Sequence, residues 1–314
     1  MEKKYVSNII TEKVIEELKQ GGNYLIGSEM GSGKNYWMRH ILLQFAIENS
    51  KRVLIVAHRT AIKEQQYAYL RDLQDECMRA FKADTFKIKS YQELENIIKK
   101  KEFFKLDKYD YIICDECHYL TKDSDMSPKT AYSYEWLNNN NIAIKIFLTG
   151  TYDSFSYLSW KTPMKQLKYA DYYNNNIDEL YFYKNREYLK PMIEEKIVNG
   201  EKVLMIVGDK NIGSNFKSNV NAKSYFITTN NKSSKEFLSI VENNTFTSDL
   251  LVSTSLICEG VEIKNTEVKT VIVDGIDDLE LIAQSPARIR DKNVILFINK
   301  PSHQKIINRY IKCR

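Results

Sequence analysis

Residues 111–118 read Tyr-Ile-Ile-Cys-Asp-Glu-Cys-His, an apolar run that stops abruptly at two carboxylates. A run of this kind fits a strand buried on both faces of a parallel sheet, with its charged residues delivered at the strand's C-terminal end. Comparable runs stand at 24–26, 53–57, 144–148, 203–207, 250–253, 268–273 and 294–298. Polar stretches of helical length separate them. The alternation predicts an α/β chain with mainly parallel sheets flanked by helices. At 314 residues the chain exceeds what one core commonly serves, roughly 150 residues per domain, so two domains are expected.

Composition narrows the class further. A hydrophobic fraction of 43% and a charged fraction of 28% describe an ordinary globular chain. No apolar run approaches the roughly 18 residues a membrane span needs, so no membrane partner is expected. The N-terminus, Met1-Glu2-Lys3-Lys4-Tyr5, lacks an apolar leader. The five cysteines are odd in number and scattered, which suggests no disulfide framework. A cytoplasmic chain is expected, or one in the host-cell cytoplasm if its source is viral or phage. The net charge of +5 permits nucleic-acid binding without requiring it.

Segment 8–20 carries Ile10, Val14, Ile15 and Leu18 near helical spacing before Gly21-Gly22, which predicts one helix. A second helix is expected to run through Trp37, Met38, Ile41, Leu42 and Phe45. From 152 to 186 the alternation weakens in a stretch rich in Tyr, Ser, Asn and Lys. The expected layout is a first domain over 1–155, a connection over 156–186 and a second domain over 187–314. A helix over 187–199, stopped by Gly200, opens the latter.

Strand 24–26 leads into Ser28-Glu29-Met30-Gly31-Ser32-Gly33-Lys34-Asn35. Gly31 and Gly33 allow a tight turn whose backbone N–H groups surround one anion, and the following helix adds its positive end. Ser28 and Ser32 complete this loop, and Lys34 reaches β and γ phosphates. Asn35 stands where a Ser or Thr hydroxyl commonly meets Mg²⁺; its amide oxygen is an alternative ligand. Lys34 and Asp115 are 81 residues apart. Asp115 is placed to hold Mg²⁺, and Glu116 to take a proton from an attacking water. His118 suits a relay out of the site. Loop and carboxylates together predict ATP and Mg²⁺ as cofactors.

Asp115-Glu116-Cys117-His118 is a DExH tetrad, and the chain resembles superfamily 2 helicases and translocases over roughly residues 8–300. That resemblance implies two RecA-like P-loop domains with Mg-ATP hydrolysed at the cleft between them. It assigns further residues by motif. Val53-Leu54-Ile55-Val56-Ala57-His58-Arg59-Thr60 is similar to motif Ia, making Arg59 a nucleic-acid contact, and Ser90-Tyr91 fits the next such segment. Leu148-Thr149-Gly150-Thr151 is similar to motif III, so Thr149 and Thr151 would couple hydrolysis to strand movement. Ser253 to Glu262 resembles motif V, with Thr254 and Ser255 on nucleic acid and Gly260 and Glu262 near the nucleotide. Gln284-Ser-Pro-Ala-Arg288-Ile-Arg290 resembles motif VI.

The compact Gln284…Arg288-x-Arg290 form, with Met30-Gly31-Ser32-Gly33-Lys34, is similar to the herpesvirus origin-binding-protein group and its phage relatives. Arg288 and Arg290 are both candidates for the arginine that steadies transition-state charge. A helical segment would turn positions two apart away from each other, whereas an extended turn around Pro286 lets them share a side; the latter favours Arg290. Contacts at these motifs grip phosphate and sugar rather than bases. The expected activity is an ATP-dependent helicase or translocase on single-stranded or duplex nucleic acid, with DNA favoured. The expected setting is replication or recombination, with replication proteins supplying the targeting. The alternatives are a nucleic-acid-stimulated ATPase that remodels or clamps without unwinding, and a non-catalytic binding module.

Overall fold

The computed structural model describes residues 5–28, 31–57, 86–106, 108–122, 129–150, 155, 158–167, 176–231, 233–257, 261–289 and 292–300. The chain forms two compact units, Met1–Asn174 and Asn175–Arg314. The stretch expected as a connection contributes a strand to each: Met164–Gln166 to the first and Ile177–Tyr183 to the second.

Six strands build the sheet of the first unit: β1 (Asn23–Gly27), β2 (Val53–Ala57), β3 (Phe86–Ser90), β4 (Tyr111–Cys114), β5 (Ile144–Thr149) and β6 (Met164–Gln166). Their order is β3-β2-β4-β5-β1-β6, and every pairing is parallel. The inner strands β1, β2 and β4 are buried at every position, which is why their sequences are unbroken apolar runs. Strand β5 lies between β1 and β4, so the segments following those two strands emerge on either side of its C-terminal end.

The helical stretch after β1 comprises Lys34–Trp37, a π-helical turn at Met38–Leu42, and Leu43–Glu48. Trp37, Met38, Leu42 and Phe45 pack into the core as expected. Segment 8–20 does not form one helix. Two short ones, Val6–Ile9 and Glu12–Glu16, flank Ile10, whose carbonyl accepts the Trp37 indole N–H at 2.6 Å in place of a helical N–H.

The second unit repeats the plan with β7 (Ile177–Tyr183), β8 (Lys202–Val207), β9 (Ser224–Ile227), β10 (Leu250–Ser253), β11 (Val268–Asp274) and β12 (Val294–Asn299). The order is β7-β12-β11-β8-β10-β9, again wholly parallel. A 3₁₀ turn (Arg186–Tyr188) leads into the helix Leu189–Val198, which covers β8 through Leu189 and Ile193. No helix among the described residues is long and apolar enough to cross a membrane.

Candidate nucleotide site

Three strand ends meet in the first unit. Gly31 and Gly33 take left-handed backbone angles, φ 77° and 83°, which an L side chain adopts only with strain. The turn they make leaves Lys34, Asn35 and the first turn of the helix at the mouth of the loop. The Lys34 ammonium donates to the Ser28 carbonyl, and the Ser28 and Ser32 hydroxyls lie 2.7 Å apart. Ser32 is held from outside as well, because its carbonyl accepts the Val6 N–H at 3.0 Å.

The end of β5 ties the other two together. The Thr149 carbonyl accepts the Ser28 N–H at 3.1 Å on one side, and the Leu148 carbonyl accepts the Cys117 N–H at 2.9 Å on the other. His118, 3% exposed, has Nδ1 at 3.4 Å from Glu116 Oε2 and 3.5 Å from Thr149 Oγ1. Loop, carboxylates and the Thr149 segment are therefore one connected body. His118, expected as a relay, thus lies within reach of both Glu116 and Thr149; Thr151 lies outside the described residues.

Asp115 is 4% exposed and its Oδ1 accepts the Glu116 N–H at 3.1 Å. Burial, followed by the adjacent Glu116 charge, pushes its carboxyl up to about 7, while Lys34 and Arg39 pull the other way. Arg39 was not singled out from the sequence. It is a buried cation within the π-helical turn, and its signal was a lone charge among Trp37, Met38 and Leu42. Glu116 adopts φ 48°, a left-handed conformation that costs a glutamate on the order of 1 kcal/mol and turns its side chain toward His118.

Among the described residues no three His, Cys, Asp or Glu side chains cluster as a metal site. Mg²⁺ in nucleotide sites needs none, since one or two carboxylates suffice when phosphate and water supply the rest. Asp115, whose ionisation is opposed by burial and a like charge, is a carboxylate that a cation would help to ionise, and Asn35 is half-buried at the loop.

Other expected residues take different places. Ser90 caps the helix Tyr91–Lys99, accepting the Glu93 N–H at 3.1 Å, while Glu93 Oε2 accepts the Ser90 N–H at 2.7 Å. Tyr91 is fully buried and stacks on Tyr119 at 4.5 Å, so its ring does not face solvent. Arg59 lies outside the described residues.

In the second unit Thr254 and Ser255 are half-buried just past β10, and the Thr254 N–H donates to the Ile227 carbonyl at 3.3 Å. The residue just after the motif V segment meets motif VI: Ile263 bridges Ile289 in parallel and its N–H donates to the Arg288 carbonyl at 2.8 Å. Glu262, half-buried, thus stands beside the Arg288–Ile289 strand-like turn. Gln284 ends the helix Leu279–Gln284, and Pro286–Arg288 is a 3₁₀ turn opening into extended Ile289. Helix therefore does not continue from Gln284 through Ile289. Arg288 is buried; Arg290 and Gly260 lie outside the described residues.

Residues 1–154 match the family model for the type III restriction enzyme res subunit. No curated protein matches the chain at the sequence level. Among solved structures, Mss116p bound to ssRNA and AMP-PNP aligns with a TM-score of 0.73 at 15% identity, over 96% of this chain and 70% of that one. Mycobacterium smegmatis helicase Lhr bound to ssDNA and AMP-PNP aligns at 0.65 and 16% identity, over 93% and 45%. S. cerevisiae Dbp5 bound to RNA and ADP BeF3 aligns at 0.64 and 11% identity, over 92% and 82%. The fold is that of two RecA-like α/β domains.

Proposed function

We propose that this chain is a nucleic-acid-dependent ATPase of the DExH type that works as a helicase or translocase. One observation carries the reading: the phosphate loop and the Asp115–Glu116 pair are joined through β5 and His118 into a single constellation. Lys34 and the loop N–H groups would hold the β and γ phosphates. Glu116 would orient the attacking water and accept its proton. Asp115 and Asn35 would hold Mg²⁺, which when bound neutralises phosphate charge. His118 and Thr149 would report the state of Glu116 to β5. Thr151, Gly260, Glu262, Gln284 and the arginines Arg288 and Arg290 complete the proposed nucleotide machinery.

Three things support the wider assignment. The N-terminal half matches the res-subunit model, the fold is shared with helicases solved on ssRNA and ssDNA, and the motif order runs through both units. The compact motif VI, similar to that of the herpesvirus origin-binding group, favours DNA as the track and replication or recombination as the setting. Arg59, Thr254, Ser255 and the backbone at Ser90–Tyr91 are the proposed phosphate contacts.

The test is ATP turnover by the full chain with matched single- and double-stranded DNA and RNA oligomers. Stimulation by DNA above RNA is expected, and a strand-displacement assay then separates unwinding from remodelling or clamping. Turnover that no polynucleotide stimulates would overturn the reading.

A further inference from the structure

Strand β7 is the outermost described strand of the second sheet, pairing with β12 on one side. Three consecutive large side chains on it, Leu180, Tyr181 and Phe182, are 49%, 48% and 65% exposed. Successive strand residues face opposite sides of a sheet, so apolar surface is presented on both faces of this edge. Natural edge strands are commonly blunted by proline, central charges or bulges against pairing with another chain. Here the bulge lies at the N-terminal end, between the Ile177 and Glu179 pairings, and the charges Asp178, Glu179 and Lys184 flank the apolar centre.

The backbone fixes which registers a further strand can use. The Lys300 N–H donates to the Tyr183 carbonyl at 2.8 Å, so Tyr183, and by alternation Tyr181, turn their peptide groups toward β12. Leu180 and Phe182 then turn theirs outward. In an antiparallel pairing the directly opposed hydrogen-bonding residues must both point outward. A two-fold centred on Tyr181 meets that condition, placing Leu180 of each copy opposite Phe182 of the other. The same register brings Asp178, the residue at the bulge, which accepts the Asn293 side-chain N–H at 2.7 Å, toward Lys184, the first residue past the strand, at both ends. Moving the centre one residue either way, to Leu180 or Phe182, puts Phe182 opposite Asp178 or Leu180 opposite Lys184. The sequence Asp-Glu-Leu-Tyr-Phe-Tyr-Lys is thus complementary to itself in one register.

We propose that β7 is a homodimer seam, through which two copies of this chain join their second-unit sheets edge to edge by antiparallel β7–β7 pairing. Cross-strand apolar and opposite-charge pairs stabilise such a ladder, and an isologous contact makes each pair twice. A seam of one short strand per copy is smaller than the roughly 1,600 Å² of a stable complex, so the dimer is a reversible, concentration-dependent one.

Sedimentation of the full chain across the micromolar range, without nucleotide or nucleic acid, tests this. A concentration-dependent monomer–dimer equilibrium is expected. Phe182→Glu, at an exposed position that leaves the core untouched, should weaken it at least about thirtyfold. Asp178→Lys and Lys184→Asp should each be monomeric alone and should form a heterodimer when mixed, because the mixture restores both charge pairs. A monomer at every concentration, a dimer indifferent to Phe182→Glu, or a charge-reversed mixture that stays monomeric would each overturn the proposal. All three readouts are independent of hydrolysis.

Discussion

Asp115 and Asp274 are both buried carboxylates at the C-terminal ends of inner parallel strands, one in each unit, and their surroundings differ. Asp274, fully buried, accepts Arg186 Nε at 2.9 Å and Nη2 at 2.9 Å, and the Tyr183 hydroxyl at 2.7 Å. Burial, then the Asp274 charge, raises the Tyr183 phenol well above its ordinary range, so the tyrosine remains a donor. The protein itself satisfies this charge. Asp115 has one backbone donor and a second carboxylate as its neighbour, and its carboxyl is raised to about 7. One position closes a structural network around a bidentate guanidinium; at the other, the Lys34 and Arg39 charges only partly offset burial and the neighbouring Glu116. Burial alone does not separate a structural carboxylate from a candidate functional one; the groups around it do.

The largest effect expected from testing this contrast is on turnover. Glu116→Gln keeps size and removes the proposed base, so ATP hydrolysis should fall by a factor on the order of 10² or more while nucleotide binding persists. Steady-state kinetics paired with nucleotide titration would show it, and near-normal turnover would move the base elsewhere.

Stability should separate the two aspartates by sign. Arg186→Ala strips Asp274 of its bidentate partner and should cost about 3 kcal/mol. Asp115→Asn should instead stabilise the nucleotide-free chain by about 2 kcal/mol at pH 8. The direction follows from the shift: a carboxyl raised from 3.8 to about 7 favours the folded state fully below pH 4 and loses that contribution as pH rises toward 7. Urea denaturation of the variants at pH 8 and pH 5 checks both signs, and the Asp115→Asn gain should shrink at the lower pH.

The smallest effect is a proton count. If a cation arrives at Asp115 with the nucleotide, the ionised form is favoured and about half a proton should leave per site at pH 7. Calorimetry in buffers of different ionisation enthalpy reads that number, and Asp115→Asn should abolish it. No release from the unaltered chain would place the metal away from Asp115.

Every apolar run marked in the sequence is a strand, and the four strands not marked, β3, β6, β7 and β9, are the four sheet edges. An inner strand is buried along most of its length on both faces and is written mainly in apolar residues, with departures such as Lys145 in β5 and Lys269 in β11. An edge strand tolerates Lys87 and Lys89, or Asp178 and Glu179, and reads like a loop. The loop glycines, Lys34, Asp115 and Glu116 were legible because their chemistry demands a fixed local pattern. Arg39 and the hydrogen bonds of the Leu148 and Thr149 carbonyls were not, because they depend on which strands become neighbours. The helix break at Ile10 was hidden for the same reason: it answers to Trp37, 27 residues further on.

If Glu116 is the proposed base, its left-handed backbone sets stability against chemistry at a single codon. Glycine or asparagine would sit in that conformation with less strain, so a library selected for heat resistance alone should drift to them at 116. A library selected for hydrolysis should hold glutamate there and gather its stabilising changes elsewhere. The residue that wins at 116 would then record which of the two demands the chain had lived under.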